Sequence, residues 1–110
     1  MPKLPGGMGN MQDLMKQAQK MMEDAQRLEE ELDAERVEAT AGGGVVKATV
    51  SGKGELVALS IQPDAVDPDD VEMLQDLIVG AVREAQSNAE KVRAERTSAL
   101  TGGLGGGLPF

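Results

Sequence analysis

Seven apolar residues, Met11, Leu14, Ala18, Met21, Ala25, Leu28 and Leu32, recur at steps of three and four through an otherwise polar segment. That spacing places all of them on one stripe of an α-helix over three heptads, and such a stripe has to be covered. The chain has little to cover it with. Among 110 residues there is one Phe and neither Trp nor Tyr. A core must therefore come from Leu, Ile, Val, Met and Ala, each of which removes less area from water than an aromatic ring. The length supports one small domain, and its stability is expected to lean on a second copy of the chain that covers the seam.

Residues 1–9 are broken by Gly and Pro and read as a flexible N-terminal arm, after which Asn10 can cap a helix. From Met11 to about Glu35 good helix formers predominate, which predicts the first helix. Residues 37–41 and 46–51 alternate in polarity around Gly42, Gly43 and Gly44, and a third strand carrying Val57, Leu59 and Ile61 follows Gly52-Lys53-Gly54. A three-stranded antiparallel meander is predicted. Asp67-Pro68-Asp69-Asp70 then opens a second helix, with Asp67 at the cap and Pro68 in the first helical position. Val71, Leu74, Ile78, Ala81 and Ala85, widened by Leu77 and Val82, repeat the helical seam and assign this half to the core. Beyond Gln86 apolar content thins while Lys91, Arg93 and Arg96 enter, and an exposed extension is expected. The Gly-rich stretch 101–110 reads as a flexible tail, so the domain proper spans 10–100.

Helices of this length run roughly 35–45 Å, whereas strands of about seven residues reach about 23 Å. The helices must overhang the sheet. In a meander the first and third strands point the same way, so the first helix ends at the edge of the sheet opposite to the start of the second. The second then runs back, and the beginning of one helix and the end of the other are expected to project as one arm.

Several chemistries are excluded by composition. Without His or Cys, imidazole bases, thiol nucleophiles, the usual zinc ligand sets and disulfides are all missing. The cysteine-free chain suits a reducing cytoplasm. The acidic run Asp64, Asp67, Asp69, Asp70, Glu72 lacks the Gly and Glu positions of a calcium loop and reads as capping. Gly42–Gly44 and Gly52-Lys53-Gly54 sit between strands with no P-loop Lys-Ser or Lys-Thr behind them, and read as hairpin turns. No catalysis, metal, cofactor or small-molecule substrate is expected. Neither a secretory signal nor a run approaching the ~20 apolar residues of a membrane span is present, and no membrane association is expected.

The formal net charge is −8, which by itself opposes a polyanionic ligand. Its distribution is uneven. Residues 1–22 carry +2, residues 83–110 carry +1, and the stretch between holds −11. Lys16, Lys20 and Arg27, spaced by four and seven, line one helical stripe off the apolar seam, and Lys91, Arg93 and Arg96 form a second basic group. If both groups share an arm and a dimer has two arms, a duplex could be held by its phosphates without base reading. The absence of Trp and Tyr makes single strands the poorer ligand. A competing reading is a protein-binding adaptor that engages a DNA repair or replication factor through the Met-rich first helix and the acidic face around Glu29–Glu35.

The opening Met11-Gln-Asp-Leu-Met-Lys-Gln-Ala-Gln, the turn and strand Gly43-Gly-Val-Val-Lys-Ala-Thr-Val-Ser-Gly52, the helix Met73-Leu-Gln-Asp-Leu-Ile-Val-Gly-Ala-Val-Arg-Glu-Ala85 and the closing Leu-Pro-Phe110 together resemble the YbaB/EbfC family of bacterial nucleoid-associated proteins, end to end. The resemblance implies an α+β, α-β-β-β-α protomer and a tweezer-like homodimer with projecting helical arms. It further implies double-stranded DNA binding with little sequence preference, altered DNA conformation, and a part in nucleoid organisation and gene regulation in the cytoplasm. Contact through the terminal helices maps onto Lys16, Lys20, Arg27, Lys91, Arg93 and Arg96. The dimer or core seam is expected at Met11, Leu14, Met21, Leu28, Leu32, Leu74 and Ile78.

Overall fold

In the computed structural model the chain runs α1 (Gly7–Ala34), β1 (Arg36–Ala41), β2 (Val46–Ser51), β3 (Leu56–Ile61) and α2 (Val71–Gly105). Residues 7–105 are described, with side-chain surroundings from 11 to 100. Most of the expected N-terminal arm, and the end of the expected tail with its Leu-Pro-Phe110, lie outside the described residues. The three strands form one antiparallel sheet in the order β1-β2-β3, so the α+β class and the α-β-β-β-α order expected from the sequence are both present.

The first hairpin turn is a run of three glycines, Gly42, Gly43 and Gly44, at φ of 65°, 73° and 100°. L side chains rarely adopt that region, so the turn can be written only in glycine. The second turn is pinned by Ser51, 2 % exposed, whose Oγ accepts hydrogen bonds from the backbone N–H groups of Lys53 at 3.2 Å and Glu55 at 3.3 Å.

Alternation along β2 decides the core. Val46, Ala48 and Val50 are all 0 % exposed and face α2; their β1 partners on that face are Ala41, Ala39 and Val37, and their β3 partners are Ile61, Leu59 and Leu56. Pairing shifts between Thr49–Ala58 and Val50–Leu56, which leaves Val57 as the extra residue of a β-bulge. α2 lies across β1 and β2. Its Ala81, Ala85 and Ala89, one turn apart, are each fully buried against the sheet, and such small side chains let the helix axis come close. Leu74, Leu77, Ile78 and Val82 pack at the margin of this cluster, so the seam residues Leu74 and Ile78 belong to the core of the single chain. β3 is left largely bare: Leu56 is 50 %, Val57 48 % and Leu59 38 % exposed.

Two expectations are corrected here. The half of α2 beyond Gln86 is exposed over much of its surface but does not extend freely. Ala89 is fully buried in the core cluster on the sheet, and Val92 and Arg96 are half-buried where the β2–β3 hairpin and the end of α1 come against this stretch. The helix cap is also displaced. Asp67 Oδ1 accepts from Asp69 N at 2.9 Å and closes a local turn around Pro68, while Asp70 Oδ1 accepts from Met73 N at 3.2 Å and caps α2.

Among the described residues, α1 is seated on the sheet and α2 through its last turns. Leu32, 0 % exposed, docks over Gly52, whose N–H donates to Leu32 O at 2.8 Å. A Cβ on Gly52 would stand 2.6 Å from Leu32 O and 3.0 Å from Leu32 Cα, so glycine is required by close approach. Leu28 is half-buried, and the seam then runs out into solvent: Met21 is 47 %, Leu14 63 % and Met11 65 % exposed. The radius of gyration is 22.2 Å, whereas a compact domain of this size has about 13 Å. The overhang expected from helix and strand lengths is therefore real, and much of it is α1.

Candidate nucleic-acid interface

α1 and α2 cross where the C-terminal turns of the first meet residues 93–100 of the second. Four ion pairs define the crossing. Arg93 Nη2 donates to Glu29 Oε1 at 2.8 Å, and Arg96 Nη2 to Glu35 Oε2 at 2.6 Å. Arg96 Nη1 lies 3.9 Å from Glu31 Oε2, and Lys53 Nζ 3.7 Å from Glu29 Oε2. Glu31 and Glu35, one helical turn apart, thus bracket a single guanidinium, and Glu29 ties α1 to both α2 and the β2–β3 turn.

On α1, Arg27 pairs with Asp24 at 3.4 Å and lines a cleft with Leu28, Glu31, Arg96, Ala99 and Leu100. Arg27 and Arg96 are the two candidate cations that the fold brings to one place from distant parts of the chain. Lys20 and Lys16 lie farther out on the same stripe, about 12 and 18 Å from Leu28 at 1.5 Å per residue. Both are exposed and, among the described residues, neither has a carboxylate partner. At about 100° per residue they project from the side of α1 opposite to the Met11–Leu28 seam. Lys91 is exposed too, but two residues from Arg93 it lies on another face of α2, since positions i and i+2 do not share a side.

The sequence-derived cations therefore sort into three groups. Arg93 and Arg96 are engaged by carboxylates at the helix crossing; Arg27 sits at its rim; Lys16 and Lys20 face solvent on the projecting part of α1, with Lys91 facing solvent elsewhere. Sequence reasoning missed Lys53, whose ammonium joins the Glu29 junction, and it missed that the Glu29–Glu35 run is the counterpart of the arginines. Partners 61 and 64 residues apart leave no local pattern. Among the described residues no group of carboxylates is placed to hold a metal ion, and no helix is long and apolar enough to cross a membrane.

Relatives of this chain agree over nearly its whole length. Proteins named nucleoid-associated protein from Streptomyces avermitilis and Clostridium perfringens are 53 % and 54 % identical to it, with 96 % and 92 % of this chain and 96 % and 90 % of theirs aligned. A crystal structure of an uncharacterised protein from Helicobacter pylori superposes with a TM-score of 0.70 at 25 % identity, covering 79 % of this chain and 91 % of that one. The sequence model of the YbaB/EbfC DNA-binding family matches residues 8–104. With end-to-end agreement in sequence, element order and fold, this chain belongs to the YbaB/EbfC family of nucleoid-associated DNA-binding proteins.

Proposed function

We propose that the protein works as a two-fold homodimer that holds double-stranded DNA through its phosphates, with little sequence preference, and so shapes the nucleoid and the expression of its genes. The observation that carries this reading is the solvent-facing stripe of Lys16 and Lys20 on a helix that projects clear of the acidic middle of the chain. Lysines on the polar side of an amphipathic rod, free of carboxylate partners among the described residues, suit contact with a phosphate backbone and offer no pattern for reading bases. Lys91, and Arg27 at the rim of the helix crossing, extend the set.

Dimerisation has its own support in the bare side of the sheet. Gln86 Nε2 donates to Gly54 O at 3.1 Å and so fixes which flank of α2 is turned towards the β2–β3 hairpin. Helical periodicity places Val79, 46 % exposed, on that flank above Leu56 and Leu59 of β3. An apolar ledge beside an unpaired strand edge is a liability in a single chain, and a second copy related by a two-fold axis covers it. Two protomers then present two α1 arms to one duplex.

Binding of a random duplex, followed by fluorescence anisotropy between about 50 and 200 mM salt, tests the reading: log affinity is expected to fall linearly with log salt at about 0.9 per neutralised phosphate. Replacing Lys16 and Lys20 by Glu should weaken binding and flatten that slope. Negligible duplex retention at the lowest salt would refute the proposal and favour the adaptor role of the exposed methionines.

A further inference from the structure

We infer that Arg93 and Arg96 are positioning residues: together with Glu29, Glu31 and Glu35 they form a clasp that sets the angle of the α1 arm on α2, leaving phosphate contact to the outer lysines. The inference deepens the DNA-binding reading above and rests on it for its consequence, although the clasp itself is a property of the protein alone.

Three observations carry it. The first is stoichiometry at the crossing. Arg96 reaches Glu35 at 2.6 Å and Glu31 at 3.9 Å, and Arg93 reaches Glu29 at 2.8 Å, so each guanidinium already faces carboxylate. A phosphate would have to displace these groups, and the carboxylates left behind would repel it. The second is the scarcity of apolar packing where the helices cross. Among the described side chains of α1 only Leu32 is fully buried, and it rests on Gly52, in the turn after β2. Farther out, α1 offers α2 the half-buried Leu28, which shares a cleft with Ala99 and Leu100, and otherwise charged pairs. The third is the geometry of Glu29, which pairs with Arg93 on α2 and with Lys53 in the β2–β3 turn. Two supports in different elements fix a direction, whereas one would fix only a distance. Pairs as open as these, 30–54 % exposed, are weak one at a time, and act here as a network around one joint.

Charge reversal and charge swap separate positioning from phosphate contact. Arg96→Glu faces Glu31 and Glu35 with a third carboxylate and is expected to weaken duplex binding roughly tenfold, the scale of coupling within one ion-pair network. The swap of Arg96→Glu with Glu35→Arg keeps the net charge of the wild type and rebuilds the pair with its ends exchanged. Recovery of wild-type affinity and salt slope is expected. In parallel, amide exchange across residues 24–34 should quicken in Arg96→Glu and return to wild-type rates in the swap, with no DNA present.

The clasp is overturned if the swap binds no better than Arg96→Glu and its salt slope stays shallower by about 1, the signature of a lost phosphate contact. It is overturned equally if exchange over 24–34 is the same in wild type and Arg96→Glu. Should the wild type itself not retain duplex at low salt, the DNA-binding reading fails, and the exchange comparison alone decides the clasp.

Discussion

Gly52→Ala is the sharpest probe of how α1 is fastened. The backbone there lies outside the left-handed region, which among the described residues is occupied by Gly42, Gly43, Gly44 and Gly54, so alanine carries no conformational penalty and the added methyl is the whole perturbation. That methyl would sit 2.6 Å from Leu32 O and 3.0 Å from Leu32 Cα, backbone atoms of a helix that cannot turn away as a side chain can. Overpacking of this kind costs about 1–3 kcal/mol. Separating the two segments also loses the Gly52 N–H···O Leu32 bond of 2.8 Å, about 0.5–1.5 kcal/mol net. Alanine returns about 0.4–1 kcal/mol by restricting the unfolded chain, which leaves a destabilisation of about 0.5–4 kcal/mol. In a domain of this size each kcal/mol moves the midpoint by about 4–8 °C. Thermal unfolding followed by far-UV circular dichroism at fixed protein concentration should therefore show a fall of at least about 2 °C, and amide exchange should show the loosening concentrated in the last turns of α1. A melting point within about 2 °C of wild type would mean that α1 is not seated on this turn, and the account of how the arm is anchored would be wrong.

Two further outcomes follow from the packing. Gly80 is exposed on α2, and a methyl group added there would meet nothing within 4 Å, so Gly80→Ala should stabilise by about 0.5–1 kcal/mol through helix propensity alone; a loss of stability in urea titration would show that this surface is occupied. Leu59→Asp places a carboxylate on the bare β3 ledge and should convert a species of twice the chain's 11.5 kDa into one of that mass in light scattering after size exclusion, while an unchanged mass would move the dimer contact elsewhere.

Much of the fold was legible because the sequence states it locally. The 3/4 seam fixed α1, the alternation of Val46, Ala48 and Val50 fixed β2 and its inward face, and two glycine-bearing turns separated the strands. What the sequence hid depends on neighbours far along the chain. Leu56, Val57 and Leu59 have the pattern of a half-buried strand, yet a helix about 10 Å across covers only about two strands spaced about 4.8 Å apart, so α2 on β1 and β2 leaves β3 uncovered. Ala89 and Val92 look too sparse for a core, yet Ala89 joins the cluster on the sheet and Val92 is half-buried where α1 and the second hairpin come against α2. Asp67 and Asp70 both carry the chemistry of a cap; their two hydrogen bonds divide the work between turn and helix in a way that spacing does not reveal. For the candidate site, the basic residues and their helical spacing were legible, but burial, pairing and free exposure were assigned among them by tertiary geometry.

The docking of Leu32 on Gly52 makes α1 a long lever on a short fulcrum. From Leu32 to Lys16 is about 24 Å along the axis at 1.5 Å per residue, so tilting the rod by about 10° at its base sweeps Lys16 through about 4 Å. Successive phosphates on one strand of a duplex are about 3.4 Å apart along the axis. A rotation small enough to be absorbed by one helical turn therefore shifts the outer lysines by a whole nucleotide step.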